Sequence, residues 1–389
     1  MQFIDTFTRF VETGPDPKAH RKPDHWQNIA ARQRCPFRSS KTAMKNFPRL
    51  PERGDFAFQM MVAPFRSTGA ALHDLRGFYG LHLSKTMPFG CLRDDEGAMY
   101  SVVRSVNSPT GTPNATKFVY QSTRVDGKTL RMDKPRMAAQ AQTLMPTRAL
   151  EGDTAVWTSL PDEPSEPGNP WKLEASGEHM HWVEEGLFDI KGRIIGPGMQ
   201  WYLPGVDWGT FYVSQLYDVS GTCEGRSVKG IMAVEQSYMA EGGQVHSKKC
   251  LIVNNRKHVI WCAFANVYAD GSIDAGTFLV GHENLGFAFL TNEKGEASTT
   301  TDIEAQVKHK AGGYHVDTAR VIIEGKDEWE FLPDPKGEMV DFLGGFPPTA
   351  QQEGRWRRVG DTRVPDRWFA WGETDKRNGT ARNVLGSED

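Results

Sequence analysis

From residue 56 onward, apolar and polar positions alternate in short segments cut by turn residues. This is the period-two signature of strands rather than the roughly 3.6-residue period of helices. The pattern predicts strands over Phe56–Val62, Gly77–Leu83, Met99–Val103, Thr116–Tyr120 and Thr129–Met132, with Asp126-Gly127 turning a hairpin. In the second half it predicts His181–Ile190, Thr210–Ser220, Arg226–Tyr238, Lys248–Val253, His258–Tyr268 and Gly276–Val280. Ala305–His309, Thr318–Ile323 and Trp329–Phe331 follow. Asn254–Lys257 and Asp270-Gly271 supply two further turns, and Glu224-Gly225 joins the pair that precedes them.

Helical spacing is confined to the start, where Phe3, Ile4, Phe7, Phe10 and Val11 predict a short amphipathic helix ended by Gly14-Pro15. Residues 15–53 are polar, basic and proline-containing, and read as irregular lead structure. The four prolines and the glycine of 161–170 mark a loop or linker. Regularly spaced strands with short turns indicate sandwich or barrel architecture with antiparallel pairing. A chain of 389 residues exceeds one typical core, so two consecutive all-β domains are expected, 1–205 (with the lead segment 1–53) and 206–389.

Composition removes several function classes. A net charge of -3, with the 46 basic residues scattered, gives no electrostatic footprint for nucleic acid or an anionic membrane. No apolar run approaches the ~20 residues that span a bilayer, and the first residues lack the pattern of a signal peptide. A cytoplasmic protein is expected, monomeric or homodimeric. The five cysteines (Cys35, Cys91, Cys223, Cys250, Cys262) form no CxxC pair and read mainly as buried free thiols, although Cys250 and Cys262 flank a predicted hairpin. The Gly196-Pro197-Gly198 and Gly242-Gly243 loops lack the strand–helix context and lysine of a phosphate cradle, and no Gly-x-Ser-x-Gly elbow is present.

The candidate chemistry gathers at the end of the Arg226–Tyr238 segment, where Glu235, Gln236 and Tyr238 place a carboxylate, an amide and a phenol among apolar neighbours. A ligand cavity there would raise the carboxylate pKa. The same run reads Tyr212-Val213-Ser214, Val219-Ser220-Gly221-Thr222, Val228-Lys229-Gly230 and Glu235-Gln236-Ser237-Tyr238. Over 210–239 it resembles the carotenoid 1,2-hydratase and AttH-like family, with a vaguer likeness through Trp261–Leu290. By register Glu235 takes the family's aspartate position, Gln236 its histidine or arginine and Tyr238 its final tryptophan. Each position is substituted, but acid stands for acid and aromatic for aromatic.

The resemblance implies two lipocalin-like β-barrels and an activity on bulky apolar substrates: water addition to isoprenoid double bonds, dehydration, isomerisation or, in fungal relatives, cyclisation. It implies no metal and no organic cofactor. The expected function is thus a cofactor-independent lyase or isomerase acting on an isoprenoid, steroid-like or polyketide substrate. Protonating an unactivated alkene needs a carboxylic acid kept neutral by desolvation, and aromatic faces stabilise the developing cation.

Glu235 is the candidate acid, with Tyr238 and His181 as further catalytic candidates. Trp201, Trp208 and Trp261 are candidate cavity walls, and Gln236, Trp182, Tyr212 and His282 candidate substrate contacts. Blander readings stand beside these. Glu235 could face solvent, since alternation puts Val234 and Gln236 on the opposite side. His179 and His181 share a strand face at metal-ligand spacing, yet no third ligand follows, and ordinary hydrogen bonding accounts for them and for His282. His246, in a polar loop just after the cluster, is a weak candidate for gating. A non-catalytic carrier of a hydrophobic ligand, or a cyclase that mainly shapes its substrate, are the alternatives to an acid/base enzyme.

Overall fold

Strands dominate the chain because Val, Ile, Thr and aromatic residues recur at alternate positions between glycine- and asparagine-bearing turns. The computed structural model describes residues 60–74, 78–107, 116–159, 168–204, 209–245, 250, 258–282, 285–342, 349–375 and 381–383. The strands group into two antiparallel sheets.

The first sheet holds thirteen strands. They are β1 (Met61–Phe65), β2 (His82–Asp94), β3 (Met99–Asn107), β4 (Thr116–Ser122), β5 (Arg131–Met132), β6 (Thr147–Glu151) and β7 (Thr154–Thr158). Then come β8 (Trp171–Ala175), β9 (His179–Glu184), β10 (Phe188–Ile194), β11 (Gly198–Leu203), β12 (Thr210–Cys223) and β13 (Arg226–Met239). The second sheet opens with β14 (His258–Val267), β15 (Ile273–Gly281), β16 (Gly286–Thr291), β17 (Ala297–Thr300) and β18 (Ile303–His309). It continues with β19 (Val316–Ile323), β20 (Asp327–Glu338), β21 (Thr349–Arg358), β22 (Arg367–Asp375) and β23 (Ala381–Asn383). The first sheet curls into a half-barrel and the second into a nearly closed barrel, the two-barrel lipocalin-like arrangement expected from the sequence.

Two short helices, α1 (Gly69–His73) and α2 (Lys134–Ala139), are capped by Thr68 and Asp133, whose side chains accept from Ala71 and Arg136 amides. No helix among the described residues is long and apolar enough to cross a membrane. The predicted N-terminal helix and the lead segment lie outside the described residues, as does Lys248–Val253 apart from Cys250.

Two expectations change in detail. Gly77–Leu83 is not one strand: a short 3-10 turn occupies Phe78–Gly80, and β2 begins at His82. His181–Ile190 is two strands, β9 and β10, turned at Gly186 with φ 74°. The strand pair that follows residue 206 lies in the first sheet, with β13 between β12 and β2. The predicted Glu224-Gly225 turn is present, both residues having positive φ (51° and 74°), as a tight hairpin in right-twisted strands demands. Cys91, Cys223, Cys250 and Cys262 are all buried free thiols.

Alternation sorts the core into layers. Even positions of β13, Met232 and Val234, enter the half-barrel interior beside Trp157, Trp171, Trp182 and Tyr217. Inside the second barrel, Phe264, Phe278, Trp329 and Trp356 pack ring to ring, with centroids 5.0–5.9 Å apart. A third layer fills the space between the barrels. It takes Phe89, Trp201, Tyr212 and Ile231 from the first sheet and Leu279, Phe287, Phe369 and Trp371 from the second.

Candidate active site between the barrels

Odd positions of β13 carry Ile231, Ala233 and Glu235 into the layer between the barrels. Glu235 is buried there, paired in register with Ser214 on β12 and Met87 on β2. The Tyr212 hydroxyl is hydrogen-bonded to its Oε2, while Oε1 meets no partner among the described residues. Burial pushes the Glu235 carboxyl up to about 8, with help from the charge of Glu373. The Tyr212 and Ser214 hydroxyls pull the other way without prevailing. Glu235 is therefore a neutral acid at pH 7. Burial and the neighbouring carboxylate raise the Tyr212 phenol as well.

Aromatic rings enclose this pair. Trp201 on β11 lies opposite Tyr212 in register and stacks on it, with centroids 5.4 Å apart and planes at 10°. Trp261 of β14 approaches Tyr212 edge-on at 5.4 Å, and Phe287 of β16 touches both tryptophans at 6.4 and 6.3 Å. The tyrosine thus receives rings from both sheets. Along the same interface Phe89 of β2 packs against Trp371 and Phe369 of β22, at 5.2 and 6.0 Å.

The facing row of the second sheet is polar at its centre. Glu373 of β22 pairs in register with Trp261 on one side and Gln351 of β21 on the other. Gln351 Nε2 donates to Glu373 Oε1 at 2.6 Å, and the Trp371 indole N–H donates to Gln351 Oε1. Burial raises the Glu373 carboxyl to about 7. Glu373 and Trp261 are half-buried. Lys85, opposite Ser237 of β13, is a half-buried amine on the same face, lowered to about 8 by desolvation and by Lys117.

The structure brings Glu235, Tyr212, Trp201 and Trp261 together and sends the other sequence candidates elsewhere. Gln236 and Tyr238 lie on the opposite face of β13 from Glu235, because strand side chains alternate. There the Tyr238 hydroxyl donates to Gln236 Oε1 at 3.0 Å, and Gln236 Nε2 donates to the Leu72 carbonyl at 2.8 Å, beside Phe211. His181 sits at the surface of β9, its ring nitrogens 3.3 Å from Glu174 and 2.9 Å from Asp189. Trp182 is inside the half-barrel, donating to Glu184, whose carboxylate clasps Arg104 (Nε to Oε1 2.6 Å) between the Trp171 and Phe118 faces. His282 follows β15 half-exposed, and Trp208 and His246 are outside the described residues.

Glu373, Gln351, Trp371 and Phe287 were not singled out by sequence reasoning. The alternation Phe369, Trp371, Glu373 was present, but the run Arg367–Trp371 reads as arginine stacked on tryptophan along a strand, which does not mark Glu373 as a site residue. Arginine–tryptophan stacking is present, with Arg93 of β2 on Trp368 at 4.2 Å and Arg358 of β21 on Trp329 at 5.1 Å.

No protein-family model matches this chain, and no curated protein matches it. Solved structures similar to it include a putative AttH from Nitrosomonas europaea, at 14% identity over 78% of this chain and 95% of that one, TM-score 0.46. Kievitone hydratase from Nectria haematococca is similar at 11% identity over 84% and 99%, TM-score 0.41. CghA, in complex with Sch210972, is similar at 11% identity over 78% and 89%, TM-score 0.37.

Proposed function

We propose that this protein is a cofactor-independent lyase or isomerase that adds, removes or relocates a proton on a bulky apolar substrate held between the two barrels. The carrying observation is Glu235: a carboxyl buried among aromatic rings, hydrogen-bonded by Tyr212, with its second oxygen unpartnered. Such a group keeps its proton at neutral pH and can deliver it to an alkene carbon or a departing hydroxyl. Trp201, Trp261 and Phe287 present the faces and edges that would hold a flat or polyunsaturated skeleton and shield the cationic intermediate. The resemblance of residues 210–239 to the carotenoid hydratase and AttH-like family supports the same reaction class.

A simple carrier would place its ligand inside a barrel free of titratable groups. The second barrel's interior is filled with stacked rings, and the half-barrel's interior holds the Arg104–Glu184 pair. Both features favour a site between the barrels. A cyclase that only shapes its substrate would use the same walls without the proton of Glu235.

The test is incubation in deuterated water with a panel of isoprenoid and polyketide alkenes and alcohols, read by mass spectrometry. Deuterium gain or loss of water is expected in the wild type. Glu235→Gln should lower that turnover by about a hundredfold or more while keeping the strand signature by circular dichroism. Turnover unchanged in Glu235→Gln would remove the acid role, and altered product ratios at full rate would favour the shaping cyclase.

A further inference from the structure

We infer that Glu373 is the proton acceptor that works opposite Glu235, so that the two sheets supply a base and an acid from facing walls. This rests on the reading of Glu235 given above.

The hydrogen-bond chain distinguishes the two carboxyls. An indole N–H is a donor only, so the Trp371 contact fixes which end of the Gln351 amide is the oxygen. The amide nitrogen is thereby turned toward Glu373, to which it donates at 2.6 Å. A carboxyl that receives a fixed N–H donor is organised to be an anion. The partners of Glu235 are hydroxyls, Tyr212 at Oε2 and Ser214, which favour its carboxylate when they donate but can rotate to accept from the protonated acid, as the fixed Gln351 amide cannot.

The surroundings reinforce the division. The charge of Glu373 acts on both Glu235 and Tyr212, and no cation among the described residues offsets either carboxyl. The other titratable group on this face that acts on Tyr212 is Cys250, a buried thiol, and Lys85 interacts with Cys250 and Lys117 rather than with the carboxyls. Two like groups in a low-dielectric space do not ionise together, so one proton serves the pair. Burial raises both carboxyls, and the fixed Gln351 donor is what marks Glu373 as the one that ionises.

In elimination, Glu235 would give its proton to a substrate hydroxyl oxygen as the C–O bond breaks and water leaves. Glu373 would take the proton from the neighbouring carbon, whose C–H electron pair becomes the new double bond. Return of that proton from Glu373 to Glu235 restores the starting state. Hydration is the reverse: with the shared proton on Glu373, that carboxyl protonates the alkene carbon while Glu235, as the carboxylate, takes a proton from the attacking water. A double-bond shift needs only the two proton transfers. The facing placement of the groups requires the substrate to lie in the plane between the sheets.

The substrate being unidentified, the site of the negative charge can be probed with N,N-dimethyldodecylamine, a protonated apolar amine, and dodecanol as its neutral counterpart. Binding is measured by calorimetry at neutral pH in wild type, Glu373→Gln and Glu235→Gln. The wild type should prefer the amine by about tenfold, Glu235→Gln should keep that preference, and Glu373→Gln should lose it. Preference surviving in Glu373→Gln, or lost in Glu235→Gln, overturns the assignment. Equal wild-type binding of both probes would sink the Glu373 role while leaving an apolar site; binding of neither would sink the reading of that site too.

A second measurement leaves both carboxyls in place. In Gln351→Leu, carbon-13 NMR of labelled glutamates should show the Glu373 titration moved to higher pH, and an unmoved titration would also overturn the role.

Discussion

Glu235 costs the fold stability in order to hold its proton, and the pH dependence of that cost can be worked out. Its folded pKa, about 8, lies above the ordinary carboxyl value of 4.5. Between those values the unfolded chain has lost a proton that the folded chain keeps, so stability falls as pH rises across that window and levels off above it. Each tenfold gain in proton affinity on folding is worth about 1.4 kcal/mol. Glu235→Gln should therefore raise the melting temperature relative to wild type near pH 8, with the gain shrinking toward pH 4.5. A gain independent of pH, measured by scanning calorimetry, would mean that Glu235 is ionised in the folded state. Activity carries the opposite limb of the same titration. Turnover should decline as pH rises through about 8, and Tyr212→Phe, which removes a hydroxyl that favours the carboxylate, should move that decline to higher pH. Because Glu373 and Glu235 interact, the profile reports the pair rather than one residue.

At the scale of elements, the strand Arg226–Met239 shows what the sequence could disclose. Its existence, its ends and its Glu224-Gly225 turn were legible, because the turn chemistry and the apolar pattern agree. The direction of Glu235 was not, since both faces of β13 are buried and alternation lacks a polar side to mark solvent. Grouping Glu235 with Gln236 and Tyr238 as one cluster failed for the same reason: neighbours in sequence sit on opposite faces. Half of the site was invisible in kind, since Glu373 and Gln351 meet Glu235 only through the packing of β22 on β13, a contact no local pattern encodes. Register along β13 also depends on close backbone approach. A Cβ at Gly230 would stand 2.1 Å from the Cys91 carbonyl oxygen and 2.8 Å from the Leu92 Cα. Gly230→Ala should thus force β13 from β2 and cost roughly 1–3 kcal/mol, read as a lower urea midpoint. Since Glu235 rides on the same strand, its titration should shift too; an unchanged midpoint would show that the sheet yields freely there.

For the whole molecule, a site made from two barrels requires that they hold a fixed relation, and Arg93 is placed to fix it. From β2 its guanidinium reaches across to the Trp368 carbonyl at 2.7 Å, to Glu353 at 3.3 Å and to Asp334 at 3.4 Å, and lies on the Trp368 ring. Glu353 is fully buried, and even with Arg93 beside it desolvation lifts its carboxyl to about 7. Arg93→Ala would leave that carboxyl buried without its cation, a loss that typically costs about 3–5 kcal/mol. The penalty should be greatest above pH 7, where Glu353 must ionise, and should lessen as pH falls and the carboxyl takes up a proton. Adding Glu353→Gln to Arg93→Ala removes the stranded charge, so the double variant should recover part of the lost stability at alkaline pH. Denaturant titrations of both variants across pH 5.5–8.5 check this. A double variant no more stable than Arg93→Ala would show that Arg93 acts through Trp368 and Asp334 alone. If the bridge sets the spacing of the barrels, Arg93→Ala should also weaken dodecanol binding between them, although Arg93 touches neither Glu235 nor Glu373.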